Sequence, residues 1–315
     1  MPYHLWPTTR REFLRRCVAA GAAAIAPRAW AADLAAATAR KDPDPNCFAL
    51  LSDVHIDAEI SKTDCGGCMS ERFAQAIEEV LDMDVRPAGM IIAGDCVHLK
   101  GRDEDYCQFA YMIRDVLDAR LPLHLVMGNH DNRKALYRVL EQFAPPELPV
   151  RDKHVSIVPT RYVNWFLLDS LNKTDHAEGL FGSKQLAWLA GALDAHADKP
   201  AVLMAHHHPN LTGEMALEKR KIAKGLKDTQ PFLDLIAGRR QVKAYIYGHR
   251  HRWMQNLYEG VHLVGLPATG YVFSSKDPYG WVRAQLDPEG MAMELHSLNP
   301  KHPADGQVVQ LRWRS

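Results

Sequence analysis

Cys47-Phe48-Ala49-Leu50-Leu51-Ser52-Asp53-Val54-His55 is the stretch that decides the fold. Residues 47–52 form an apolar run with no polar alternation, and a strand of that kind needs cover on both faces. The run stops at Asp53 and His55, an anionic and an imidazole side chain two positions apart. The same design returns four more times. Residues 90–93 lead into Gly94-Asp95, and 123–127 into Gly128-Asn129-His130-Asp131. Residues 202–204 precede His206-His207-His208-Pro209, and 242–247 precede Gly248-His249-Arg250-His251. A lone Gly-Asp is usually a turn, and a lone His near a strand end is usually an ordinary surface or core residue. Five such clusters in one chain point to one site, because ligands of open α/β sheets bind beyond the carboxyl ends of the strands.

Between the runs lie amphipathic helical patterns. Residues 70–82 put Phe73, Ile77, Val80 and Leu81 on one face, and 106–119 carry Phe109, Ile113, Val116 and Leu117. Residues 133–143, 183–195 and 229–237 read as further helices, and 163–168 as a further strand. Apolar strands alternating with such helices predict parallel βαβ units in an α/β fold. The later chain reads differently, as antiparallel strands at 261–264, 272–274, 281–286 and 291–295. Asp287-Pro288-Glu289-Gly290 marks the turn between the last two. Residues 145–161 and 210–227 lack regularity and read as insertions near a site.

The ends bound a single domain. Thr9-Arg10-Arg11-Glu12-Phe13-Leu14-Arg15 is basic, and an Ala-rich apolar run over 17–26 follows it. That run is too short to cross a bilayer in a helix. Ala29-Trp30-Ala31 then offers a small-x-small cleavage pattern. Residues 1–31 therefore read as a twin-arginine signal peptide that engages the export machinery for folded proteins and delivers the chain to the periplasm or beyond. Residues 32–45 read as a Pro-broken linker, 46–300 as the domain and 301–315 as a C-terminal tail. No stable membrane anchor is expected after cleavage.

Composition narrows the function. The chain has 315 residues, 47% of them hydrophobic and 24% charged, which excludes a disordered chain or a coiled coil. Basic and acidic residues balance at 38 each, and removal of the signal would leave an acidic excess. That balance disfavours a nucleic-acid polymer as partner. The unusual number is 16 His, since imidazole is the commonest metal ligand. The clusters offer carboxylate, imidazole and amide oxygen but no thiolate set, which suits hard or borderline ions such as Mn, Fe or Zn. Asp53, His55, Asp95, Asn129, one His of the 206–208 run, His249 and His251 make too many donors for one tetrahedral ion. They fit two ions that share a carboxylate.

The order Asp-x-His, Gly-Asp, Gly-Asn-His-Asp, His-x-Pro, Gly-His-x-His resembles the calcineurin-like metallophosphoesterase superfamily. The likeness spans about residues 47–251 and is nearest to the class III cyclic-nucleotide phosphodiesterase branch. It implies a four-layer αββα fold with two mixed sheets flanked by helices. It implies a first ion on Asp53, His55 and His251, a second on Asn129, His207 and His249, and Asp95 as the bridge. His207 is taken because it lies two residues before Pro209; His206 and His208 are the alternatives. The resemblance makes His130 the proton donor to the leaving oxygen and Asp131 the residue that orients its ring. Purple acid phosphatases carry Gly and Tyr where this chain has His55 and His98, so an iron–tyrosinate centre is not expected. The implied activity is hydrolysis of a small phosphodiester, or of a monoester, by metal-activated water. The competing reading is a noncatalytic or thiol-redox exported protein working through Cys65-Gly66-Gly67-Cys68.

Overall fold

The computed structural model describes residues 42–211 and 224–315. The twin-arginine segment and its cleavage pattern lie outside the described residues. The first strand, β1 (Asp44–Leu51), takes up the apolar run and begins inside the expected linker. Its side chains alternate between two environments, as the period of a strand demands. Phe48 and Leu50 enter one apolar cluster, and Ala49 and Leu51 enter another on the opposite face.

Two six-stranded sheets follow from this burial on both sides. A short hairpin, β2 (Thr63–Asp64) and β3 (Gly67–Cys68), leads into helix α1 (Met69–Leu81). Strand β4 (Pro87–Ile92), helices α2 (Asp103–Met112) and α3 (Arg114–Asp118), strand β5 (Leu123–Leu125) and helix α4 (Arg133–Val139) complete the first half. The second half holds β6 (Ser156–Pro159), β7 (Asn164–Leu167), α5 (Ser183–Ala195), β8 (Ala201–Met204), α6 (Thr229–Ala237) and β9 (Val242–Tyr247). The strands β10 (Met254–Tyr258), β11 (Val261–Gly265), β12 (Gly280–Leu286), β13 (Gly290–Ser297) and β14 (Val308–Arg312) close the chain.

The first sheet has the order β14-β13-β12-β1-β4-β5, and the second β10-β11-β9-β8-β7-β6. Both are mixed: β1, β4 and β5 run parallel, as do β7, β8, β9 and β11, with antiparallel strands outside them. Phe48, Leu50, Trp165, Met204, Ile246, Val282 and Leu295 meet between the sheets. Phe73, Val80 and Phe109 cover the outer face of the first sheet, and Leu189, Leu193, Phe232 and Ile236 that of the second. The layers are therefore helix, sheet, sheet, helix, as expected. Each fully buried large side chain in these layers contributes about 1.5–3 kcal/mol by leaving water.

Several expectations need correction. Strand β11 pairs parallel with β9, not antiparallel throughout. Residues 272–274 form no strand. Their neighbours spend their backbone bonds on the end of β1, where Thr269 donates to the Ser52 carbonyl and Gly270 to that of Asp53. The expected helix over 106–119 starts earlier, at Asp103, and is interrupted at Ile113. The supposed tail at 301–315 contains β14, which pairs with β13 at the edge of the first sheet. Strand β6 lies in the segment that lacked a pattern. Among the described residues no helix is long and apolar enough to cross a membrane.

Candidate metal centre

The parallel strands of both sheets end at one place. Sheet one supplies Asp53, His55, Asp95 and Asn129, and sheet two supplies His206, His249 and His251. Three of the five chain segments turn there through an uncommon backbone. Asp53, His55, Asp95, His249 and His251 all have positive φ, between 50° and 66°. L-residues avoid this region, although Asp and His tolerate it better than most. The turns are held by bonds across the cluster. Asp53 N donates to the Gly94 carbonyl at 3.0 Å, His249 N to Asp53 Oδ2 at 3.0 Å, and Gly248 N to the His206 carbonyl at 3.0 Å. At Gly128 and Gly248 a Cβ would land on Asp95 and on Ser52. The motif glycines are thus demanded by close approach of backbone to ligand side chains.

The donor atoms converge. His251 Nε2 lies 3.2 Å from both Asp53 Oδ1 and His55 Nε2. Asp95 Oδ2 lies 3.2 Å from His206 Nε2 and 3.8 Å from His55 Nε2. His206 Nε2 is also 3.2 Å from Asn129 Oδ1 and 3.2 Å from His249 Nδ1. Two of these rings have their tautomer fixed from outside. His206 Nδ1 donates to the Ala93 carbonyl at 2.9 Å, and His251 Nδ1 to the Tyr271 carbonyl at 2.7 Å. A neutral ring that donates there presents a lone pair at Nε2. On neutral rings those lone pairs face carboxylate and amide oxygens, an arrangement that calls for a proton or a metal ion between them. His55 Nδ1 and His249 Nε2 are buried with no hydrogen-bond partner. Such a pocket can hold metal cations. Imidazoles held through their second nitrogen by backbone carbonyls are what metal ligation uses.

The electrostatics agree. Burial opposes a charge on His206, but the Asp95 carboxylate outweighs it and pushes the pKa up to about 9. Burial, reinforced by His206, pulls His249 down to about 3. The pocket draws a proton to the position where carboxylate and amide meet, and holds a neighbouring imidazole neutral. A metal ion answers both demands at once. Asp53–His55–His251 and Asp53–Asp95–His206 each bring their ligand atoms within 4.8 Å of one another, as do His206–His207–His249 and His55–Asp95–His130.

The expected residues come together, with two revisions. His207 Nδ1 shares a hydrogen bond of 2.8 Å with Ser170 Oγ, while its Nε2 is buried without a partner and the residue groups with His206 and His249. His206 occupies the inward position instead. The signal was available, since Val202 and Met204 face the inter-sheet core and strand alternation carries His206 onto that side. His208 stacks on His249, with ring centroids 5.7 Å apart.

The second revision concerns Asp131, which does not orient His130. Its buried carboxylate accepts from Gly128 N at 2.8 Å, Cys96 N at 3.2 Å and Tyr106 Oη at 3.0 Å. Burial and the neighbouring Asp95 lift its pKa to about 7. The His130 ring is held by the Leu99 carbonyl, 2.8 Å from Nδ1, and its Nε2 lies 3.9 Å from Asp95 Oδ2. Asp131 thus braces the loop that carries Asn129 and His130.

Tyr271 and Ser52 were missed because they carry no motif. Tyr271 packs on His55 and His251 at centroid distances of 4.7 and 4.6 Å. Ser52 Oγ donates to Asp53 Oδ2 at 2.5 Å. His98 is buried between Asp57 Oδ2 and Asp64 Oδ2, each at 3.3 Å. Cys65 lies in the β2–β3 turn and Cys68 in β3, both as free thiols. Burial and the adjacent Asp64 push the Cys65 thiol pKa up, away from the reactive thiolate that a redox pair needs.

Known proteins share this architecture. A dimetal phosphatase from Danio rerio superposes with a TM-score of 0.64 and 14% identity, over 86% of this chain and 100% of its own. The structure of PhoD superposes with a TM-score of 0.56 and 12% identity, over 85% of this chain and 70% of its own. At these identities the likeness concerns the fold alone. In sequence, the glycerophosphodiester phosphodiesterase GpdQ of Enterobacter lignolyticus is 25% identical over 70% of this chain and 77% of its own. A probable cyclic nucleotide phosphodiesterase of Synechococcus is 29% identical over 77% of this chain and 88% of its own. Residues 48–253 match the family described as calcineurin-like phosphoesterase. That span holds all five strand-end clusters and the converging donors built from them, so the chain belongs to the calcineurin-like phosphoesterase family and is a metal-dependent phosphoric ester hydrolase of the kind that uses a dinuclear site.

Proposed function

We propose that the chain hydrolyses phosphodiesters of small molecules. One observation carries the assignment of the site: a single carboxylate, Asp95, reaches His206 on one side and His55 on the other. Asp53, His55 and His251 hold one ion in this reading. Asn129, His206 and His249 hold the other, with Asp95 between them. Bound there, the pair would supply Lewis acidity toward the phosphoryl oxygens and toward the attacking water. The chain's own residues do the rest. Their burial excludes bulk water, and the positive-φ turns fix the donors before substrate arrives. His130 is the most exposed member, with one fifth of its side chain open. From the rim it donates the proton that an alkoxide leaving group needs, while Leu99 and the backbone contact to Asp95 set its direction.

The diester preference draws support from relatives whose names state phosphodiesterase activity. It is tested with metal-analysed protein on bis-p-nitrophenyl phosphate and p-nitrophenyl phosphate. Higher kcat/KM on the diester is expected, and turnover of the monoester alone would overturn the assignment while leaving a phosphatase. We also propose export through the twin-arginine route to the periplasm, on the strength of Arg10, Arg11 and the Ala29-Trp30-Ala31 pattern. The R10K/R11K double variant should leave full-length precursor in the cytoplasmic fraction. Its normal appearance in the periplasm would contradict that route.

A further inference from the structure

The phosphodiesterase reading leaves open what the ester carries beyond its phosphorus, and one side chain at the rim bears on it. Phe273 is 67% exposed, the most of the large apolar side chains exposed among the described residues. Single exposed apolar residues are ordinary on protein surfaces. Leu257 and Val308 are of that kind, since they sit on the edge strands β10 and β14. Phe273 is placed differently. Its ring stacks on His251 with centroids 4.6 Å apart and planes 29° apart. It meets Tyr271 edge to face at 5.6 Å. Tyr271 is itself packed on His55 and His251, and its carbonyl takes the His251 Nδ1 proton. One face of Phe273 is thus anchored to a ligand ring of the metal centre, and the ring remains largely open to water. Leu99, 49% exposed, stands on the His130 side of the same centre.

An aromatic ring fixed in orientation beside a reaction centre offers area at little entropic cost, and its open face favours another flat ring. We propose that Phe273 determines specificity by stacking on a planar aromatic ring of the substrate, a nucleobase being the natural case. Esters built only from aliphatic alcohols gain nothing from it. This inference rests on the phosphodiesterase reading above, and its test separates the two.

Thymidine 5′-(p-nitrophenyl phosphate) and methyl p-nitrophenyl phosphate share a leaving group and differ in the ring on the retained side. The wild type is expected to favour the thymidine ester in kcat/KM. F273A should lower that preference about tenfold, the size of one base–aromatic stack, and F273W should keep it. An equal loss on both esters would mean that Phe273 only supports His251, and would overturn the proposal. An unchanged ratio would overturn it too. Calorimetry on the metal-loaded protein supplies an arm that needs no turnover. Adenosine 5′-monophosphate should bind the wild type about tenfold tighter than ribose 5-phosphate, with the difference lost in F273A. Equal affinities in the wild type would refute stacking. The affinity difference without turnover of any diester would refute the phosphodiesterase reading and leave stacking intact.

Discussion

At Asp53, His55, Asp95, His249 and His251 the backbone adopts a conformation that costs on the order of 1–2 kcal/mol per residue. Spending that energy at five ligand positions makes sense only if the resulting directions matter. The residue types at these positions were legible in the sequence, because metal-ligand chemistry restricts them to Asp, His and Asn. Their left-handed turns were not, because nothing in an Asp-x-His pattern sets φ. The choice within His206-His207-His208 rested on the distance to Pro209, whereas strand parity points to His206. Alanine variants test that parity. H206A should lose at least one ion per chain by metal analysis and nearly all activity. H207A, whose ring is held by Ser170, should keep most of its metal. Loss of metal only in H207A would restore the expectation from the Pro spacing.

Elements were read best where periodicity was strong and both ends were marked. Helices α5 and α6 and strand β9 fall where the pattern puts them. Strand β10, Met254–Tyr258, has no buried position, so it carries no apolar signal to read. Strand β14 buries only Leu311, and is held at the sheet edge by backbone pairing with β13. Helix α4 shows local and functional demands coinciding. Asn132 caps it, its side chain accepting from Lys134 N and Ala135 N, and its own N–H donates to Tyr106 Oη. Tyr106 in turn holds Asp131, which braces the loop of Asn129 and His130. N132A should cost about 1 kcal/mol in urea unfolding through loss of the cap. Because the backbone bond to Tyr106 survives that substitution, metal content should change little. A large loss of metal would mean that the cap, and not the Tyr106–Asp131 contact, sets the loop.

At the scale of the molecule, the sequence order of the five clusters was enough to bring them to one edge, since parallel strands share a carboxyl end. It was not enough to show that two sheets would share the site, because that depends on how their inner faces pack. The same packing buries titratable groups away from the metal centre. His124 and His154 are held below the ordinary histidine pKa by burial, partly offset by Asp169 in the case of His154. In the unfolded chain both return to about 6.5. Between the folded and unfolded values the unfolded state binds more protons, so stability must fall as pH drops through that window. The contribution is fully present above pH 6.5 and lost below the folded values. Metal binding is itself pH-dependent, so the comparison is made between metal-free wild type and the metal-free H124Q/H154Q variant. Urea unfolding at pH 7.5 and 5.5 should show the wild type losing more stability between the two values than the variant. Equal losses would mean that neither histidine is held neutral by the fold, and that the acid sensitivity of the protein resides in the ligand cluster alone.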